Sequence, residues 1–244
     1  SRGDIERTAS LYVTGGAAGA GTLIANAGGD IQLTGAHIVN AATGPTHIQA
    51  AGSVQLASVQ TGASQALNWS AANYLRQASG QEVGTQITGA GAVHIGAQHS
   101  VQMRAAQVQA QGALSINAQG ASVDIQAGQA HDSLTQAHQV KEKGLLSSKT
   151  TTVRQSSQST SAQASSLGGA SVTLGAGQDI TVQGSQVIAD QGSALIAGRD
   201  LTIQAAQNTH QSSNFQETKK SGLFGSGGVG FTIGTQQQST DQQG

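Results

Sequence analysis

The sequence contains no cysteine, a single proline, and very few aromatic or charged residues. Aromatic residues make up 2% and charged residues 9% of the 244 positions, against 34 glycines. The lack of cysteine excludes a disulfide framework and a thiolate metal site. Because large side chains are so scarce, we do not expect an ordinary compact core. A narrow stacked interior of Val, Ile, Leu and Ala suits this composition better.

The charge balance gives no sign of a nucleic-acid partner. The formal net charge is −1, and the 11 basic residues are scattered apart from Lys141, Lys143 and the pair Lys219 and Lys220. A basic face interleaved with aromatics, which nucleic-acid binding requires, is therefore not predicted. The chain has no signal-like apolar run and begins Ser-Arg-Gly-Asp without a methionine. We therefore expect it to be a piece of a longer protein.

The stretch from Gly168 to Thr209 shows the pattern that the rest of the chain repeats. Its apolar residues form short alternating triplets, such as Ile180-Thr-Val182 and Leu201-Thr-Ile203, each closed by small or polar residues. This alternation is typical of strands of about three to five residues with one inward face. Such short strands cannot bury enough surface alone. They must stack on copies of themselves.

The spacing between equivalent triplets predicts a parallel β-helix. The steps are 21 (201 − 180), 22 (Val101 to Val123) and 23 (Ile31 to Val54). A period in the low twenties with two or three short strands indicates a solenoid coil. Each coil lies about 4.8 Å beyond the previous one, and the chain has room for roughly six to eight coils. We predict that Val101, Val123, Ile180 and Leu201 point inward.

A longer period of 79 residues overlies the first and divides the chain into units. It relates Val93 to Val172 (172 − 93 = 79) and His131 to His210 (210 − 131 = 79). We predict a single β-helix domain over 1–244, in which each unit has two coils followed by a polar excursion. The excursions are expected to be protruding, mobile β-hairpins that rest on the shaft. The units cover approximately 27–88, 89–167 and 168–244, with excursions at 62–88, 131–167 and 210–244, the first of which departs from the pattern.

The two-coil block, the Ser/Gln-rich excursion and the tail SGLFGSGGVGFTIG at 221–234 together resemble the haemagglutinin repeats of two-partner-secreted exoproteins. This group contains the filamentous haemagglutinins and the CdiA-type carriers of contact-dependent growth inhibition toxins. The resemblance covers roughly residues 20 to 244 and implies a right-handed helix. It also implies a bacterial cell-surface or secreted location with periplasmic retention before delivery. The implied partners are an outer-membrane transporter and the target-cell outer membrane or its receptor.

Three corner aspartates permit two interpretations. A row of carboxylates could serve Ca²⁺ binding or glycosidic chemistry, as in pectin-cleaving β-helices. We favour a structural role in which each short side chain bonds its own backbone at a tight turn, since serines occupy the matching corners. The aspartates are Asp30, Asp179 and Asp200, and the serines are Ser53, Ser100 and Ser122. No catalytic residue and no cofactor is predicted.

The histidines predict no metal site. His131 and His210 occupy matching positions, but two or more coils separate them along the axis, so they could share an ion only if the excursions fold back. We interpret them as marking the point where the chain leaves the coil. The other five histidines are scattered and indicate no site.

Trp69 and Tyr74 are the candidate glycan-contact residues. Aromatics five positions apart on an exposed loop could stack on a sugar. The alternative is that they cover the side of the shaft or form a short helical turn packed on it.

The tail from Leu223 to Ile233 is the candidate membrane-contact or partner-contact hairpin. Its apolar residues are Leu223, Phe224, Val229, Phe231 and Ile233. Most of them share one face of an extended strand, with Gly and Ser between them, a pattern that suits packing on the shaft or on a bilayer. The segment is too short for two membrane-spanning strands.

The leading functional hypothesis is a non-catalytic stem and delivery module. For the resembling CdiA-type proteins this means passage of a toxic domain across the target outer membrane, which the resemblance implies. The alternative is an adhesin shaft that binds host or biofilm glycans through its excursions. An enzyme ranks third, because the 12 acidic residues are spread along the chain rather than clustered.

Overall fold

The computed structural model describes residues 1–15, 19–226 and 230–243. All regular elements in these ranges are β-strands, 23 in number. The described residues contain no helix of the length and apolar character needed to cross a bilayer.

The shaft consists of three ladders of short parallel strands, each ladder forming one face. The first ladder contains β2 (Ser10–Val13), β5 (His37–Asn40), β10 (Gln86–Gly89), β13 (Gln107–Ala110) and the first halves of β18 (Ser166–Ala176) and β20 (Gln186–Ala197). The second contains β3 (Leu23–Ala27), β6 (Thr46–Ala50), β11 (Val93–Ala97), β14 (Ala113–Ala118) and the second halves of β18 and β20. The third contains β4 (Ile31–Thr34), β7 (Val54–Ala57), β12 (Val101–Arg104), β15 (Val123–Gln126), β19 (Ile180–Gln183) and β21 (Leu201–Gln204).

One strand from each ladder makes a coil, and the described chain builds six coils in sequence order. The predicted all-β, β-helix-like architecture is confirmed by these stacked parallel ladders.

The core is the apolar column inside the three ladders. Val101, Val123 and Ile180 are successive register partners in the third ladder, and each is 0% exposed. Because side chains alternate along a strand, in-register pairing places every inward residue on its counterpart in the next coil. Burying each of these side chains stabilises the fold by about 1.5–3 kcal/mol.

Leu201 departs from the prediction. It is the register partner of Ile180 but is 48% exposed. It belongs to the sixth coil, and no described coil covers its outer side. The alternating pattern therefore predicted its direction, while burial depends on the neighbour that stacks on it.

The excursions form three β-hairpins, each of which follows two coils. Hairpin 1 is β8 (Val59–Ser70) with β9 (Asn73–Val83). Hairpin 2 is β16 (Gly128–Lys143) with β17 (Ser147–Gln163). Hairpin 3 is β22 (Thr209–Ser226) with β23 (Gly230–Gln243). The first excursion, expected to depart from the pattern, is also a hairpin.

The three hairpins pair side by side in one antiparallel sheet, which we call the hairpin sheet. Strand β9 pairs with β16 over Ala130–Ala137, and β17 pairs with β22 over Ser147–Thr160. Strand β1 (Arg2–Gly3) adds a short edge beside β8, giving seven strands. The sequence therefore predicted the β-hairpins but not their pairing with one another. Ser/Thr/Gln-rich strands bury little apolar surface, but lateral pairing satisfies their backbone groups.

Candidate functional site

The corner aspartates and serines link successive coils. Asp30 Oδ1 accepts a hydrogen bond from the backbone N–H of Ser53 at 2.7 Å, and Asp179 Oδ1 accepts one from Asp200 N–H at 3.2 Å. Ser122 Oγ accepts from Asp179 N–H at 3.3 Å. The predicted bond to the residue's own backbone was wrong. Each oxygen caps the equivalent corner of the next coil, which is a structural role.

Asp179 is also engaged by a cation rather than free for chemistry. The Arg199 guanidinium hydrogen-bonds the Asp179 carboxylate and holds the pKa of that carboxyl below its ordinary value. A carboxylate held ionised in this way is a poor general acid. The Asp179 carboxylate is therefore engaged by Arg199.

The two repeat-matched histidines lie on opposite faces of the hairpin sheet. His131 is the partner of Thr160, whereas His210 is the partner of Ser159. Directly opposed residues share a face and successive residues alternate, so the two imidazoles point apart. The His131 ring lies over Gly80, where a Cβ would clash with it. In the described ranges no three metal-ligating side chains of the His, Cys, Asp or Glu type come together.

Trp69 and Tyr74 flank the turn of hairpin 1. Trp69 is 68% exposed, while Tyr74 is half-buried with the Arg76 guanidinium 4.8 Å from its ring centroid. Both residues belong to strands or to the irregular strand end, so the predicted helical turn was wrong. The Trp69 side chain is therefore accessible to solvent, whereas Arg76 covers one face of the Tyr74 ring.

A row across the hairpin sheet includes residues that the sequence did not single out. Tyr74 pairs with Ala137, Ala137 with Arg154, and Arg154 with Phe215, which puts all four on one face. The Arg154 guanidinium lies 5.7 Å from the Phe215 ring centroid. The sequence could not have predicted this row, because its members come from three hairpins and meet only through their register.

The tip of hairpin 3 extends beyond the strand beside it. Strand β17 begins at Ser147, which pairs with Gly222, so the segment after Gly222 passes the end of hairpin 2. Backbone pairing continues there, with Leu223 opposite Ile233. Ile233 is 81% exposed and does not pack on the shaft.

The other members of the candidate contact hairpin are only partly covered by the structure. Val229 lies outside the described residues, as do the side chains of Leu223, Phe224 and Phe231. Their membrane or partner contact stays a prediction.

The tip of hairpin 2 also presents apolar side chains. Leu145 is 101% and Leu146 is 67% exposed. The register places Lys141 opposite Thr150 and Lys149 opposite Lys220, so basic residues flank the two tips. Exposed apolar patches rimmed by polar residues are typical of sites that contact another protein or a membrane.

A half-buried ion pair fastens the base of hairpin 1 to the third ladder. Arg104 Nε donates to Glu82 Oε2 and Nη2 donates to Oε1, both at 2.7 Å, and Ser58 Oγ donates to Oε2 at 2.6 Å. The Glu82 side chain is 12% exposed. The hydrogen bond from Arg104 lowers the pKa of Glu82 below its ordinary value. The pair therefore stabilises the ionised carboxylate.

We expect Arg104→Gln to reduce stability in a pH-dependent way. Because the folded-state pKa of Glu82 is lowered, its contribution is present above the unfolded-state pKa and is lost as pH falls through the folded-state pKa. At neutral pH the loss should be about 1 kcal/mol, since Arg104 is partly solvated. Thermal melts of both proteins between neutral and strongly acidic pH test this. Lys149→Gln, which removes the exposed pair with Glu142, is the control and should change little. A pH-independent difference for Arg104→Gln would contradict the assignment.

Comparison with known proteins finds a family match in the C-terminal part of the chain. Residues 146–244 match the family profile described as Hemagglutinin repeat. The chain is 52% identical over 44 residues to a 16S rRNA endonuclease CdiA of Enterobacter cloacae, covering 18% of this chain and 1% of that protein. It is 48% identical over 46 residues to a tRNA nuclease CdiA of Escherichia coli, covering 19% of this chain and 1% of that protein. No solved structure matches the chain significantly. The chain thus corresponds to a very small part of the curated relatives that it matches.

Proposed function

We propose that this chain is a non-catalytic stem and delivery module of a large secreted bacterial surface protein. Its residues 146–244 belong to the haemagglutinin repeats found in CdiA-type exoproteins. The matches confirm the resemblance inferred from the SGLF…GFTIG tail. The stacked coils supply a continuous shaft, and the corner carboxylates are engaged in linking coils or in an ion pair. The coil is proposed to be right-handed, as in the family.

The partners proposed for the parent protein are its outer-membrane transporter and the outer membrane, or a receptor, of a target cell. Surface display with periplasmic retention before delivery belongs to the same proposal. The observation that carries it is the projecting tip of hairpin 3, beyond Gly222, beside the exposed Leu145 and Leu146 of hairpin 2. Because the apolar tip extends past hairpin 2, it can contact another surface while the strand pairing of the hairpin sheet stays intact.

Phe231→Asp in the full-length parent tests this function. A carboxylate on the projecting tip should oppose contact with an apolar surface, because burying an unpaired charge is costly. We expect killing of target cells to fall at least about ten-fold, which corresponds to roughly 1.4 kcal/mol of lost contact. Surface display should be unchanged. Killing is measured by co-culture and display by surface labelling.

Gln238→Asp is the matched control, since Gln238 lies on the same strand but nearer the shaft, opposite Thr218. It should leave both killing and display at the wild-type level. Unchanged killing by Phe231→Asp at unchanged display would reject the contact role of the tip. Loss of display in either variant would identify a secretion defect instead.

A second candidate is an adhesin shaft that binds glycans, and the exposure of Trp69 favours it. Aromatic rings on an exposed hairpin can stack on the apolar face of a sugar. A glycan array probed with this chain and with Trp69→Ala separates the two functions. Binding that disappears in Trp69→Ala supports adhesion, and no binding to any glycan favours delivery.

A further inference from the structure

Two histidines of neighbouring coils lie side by side on the shaft. His47 in β6 and His94 in β11 are register partners in the second ladder. Their ring centroids are 4.9 Å apart and the ring planes differ by 11°. The sequence indicated no site among these histidines, and the structure shows that two of them are neighbours. Hairpin 1 separates the two histidines in the sequence, but they occupy equivalent positions in successive coils and therefore lie side by side.

A third donor lies next to this pair. Gln49 is two residues from His47 on β6 and therefore projects from the same face of the strand. Its register partner is Gly96, where a Cβ would collide with the Gln49 carboxamide. The lack of a side chain at Gly96 thus leaves room for the Gln49 amide over Gly96, two residues from His94. Two imidazoles and an amide oxygen consequently share one small area of the shaft.

The two imidazoles are accessible from outside the shaft. Both side chains are half-buried, which leaves their outer edges open to solvent.

We propose that His47 and His94 form a two-imidazole binding site for a divalent transition-metal ion of the Cu²⁺, Ni²⁺ and Zn²⁺ class. Imidazole nitrogens suit these ions, and Cu²⁺ binds most tightly in the series. Metal to nitrogen distances near 2.0–2.1 Å place two ligating nitrogens roughly 3 Å apart. Rotation of the two stacked rings about their side-chain bonds is required to bring one nitrogen of each ring to that separation. Water and the Gln49 oxygen are the candidates for further ligands.

Titration of the chain with Cu²⁺ tests the site, using protein that carries no polyhistidine tag. Calorimetry near neutral pH should show one site that is tighter than the background binding of single surface histidines. Pulsed electron paramagnetic resonance should count two imidazole nitrogens on the bound Cu²⁺. His47→Gln and His94→Gln should each weaken binding by about ten-fold or more, the scale seen even when outer partners of metal ligands are lost. Each variant should retain one coordinated imidazole.

His138→Gln is the matched control, because His138 is exposed on hairpin 2, away from the second ladder. Its Cu²⁺ affinity should equal that of the unaltered chain. Circular dichroism and metal-free melting of every variant exclude unfolding as the cause. A single coordinated imidazole in the unaltered chain would overturn the proposal without reference to any variant. Equal weakening by His138→Gln and His94→Gln would also overturn it, because that result indicates non-specific binding.

Discussion

Ile180→Asp should unfold at least the fourth, fifth and sixth coils of the shaft. Ile180 is 0% exposed and stacks between Val123 and Leu201 in the third ladder. The substitution removes about 1.5–3 kcal/mol of apolar burial. It also places a carboxylate among apolar side chains, a further cost of several kcal/mol. The expected total, more than about 4 kcal/mol, is in the range of severe core defects.

Gln183→Asp is the matched control, because Gln183 is also on β19, projects from the face opposite to Ile180 and pairs with Gln126 and Gln204 rather than with a carboxylate. It should change the melting temperature little. Urea or thermal unfolding followed by circular dichroism compares the two variants with the unaltered chain. A melting temperature that is lowered more by Gln183→Asp than by Ile180→Asp would show that the inside and outside of β19 are reversed.

Ser157→Pro should detach hairpins 2 and 3 from each other while leaving the shaft folded. Ser157 is in the middle of β17 and is paired on both sides, with Leu134 of β16 and Ser212 of β22. Proline removes a ladder hydrogen bond and is not tolerated in an interior strand. We expect a loss of roughly 3 kcal/mol or more in the stability of the hairpin sheet. The shaft makes its own backbone hydrogen bonds within the three ladders.

Hydrogen exchange read by mass spectrometry measures this separation. Amides of residues 130–160 and 209–222 should lose protection, while those of β12, β15 and β19 keep it. Ser239→Pro is the control, because Ser239 lies in β23, which pairs only with β22 among the described strands. Its effect should be smaller and confined to hairpin 3. Loss of protection throughout the shaft in Ser157→Pro would show that the shaft depends on the hairpin sheet.

The shaft could be predicted from the sequence because its signal is local and repeated. Alternation within β19 identifies the inward residues, and a step of about one coil identifies their partners. The 22-residue step from Val101 to Val123 is a register pair in the structure. Once this period is known, the local sequence pattern is enough to predict which strands pair in the three ladders.

The hairpin sheet could not be predicted, because its strands lack an apolar period. Strands β17 and β22 are rich in Ser, Thr and Gln on both faces, so no pattern selects their partner. Their pairing brings Ser147 next to Gly222, although the fifth and sixth coils lie between these two residues in the sequence. The row from Tyr74 to Phe215 follows from that register and has no counterpart in the linear sequence.

The sequence by itself determined the all-β class, the coil period and the direction of the inward side chains, because period-two alternation is a property of each strand. Tertiary structure alone decided which of these side chains are buried. Ile180 and Leu201 stand in the same Asp-aliphatic-Thr-aliphatic motif, yet one is 0% and the other 48% exposed, since described coils stack on both sides of Ile180 and on only one side of Leu201. It also decided that His47 and His94 meet, because stacking of coils converts a separation of 47 positions (94 − 47) into contact between neighbouring strands.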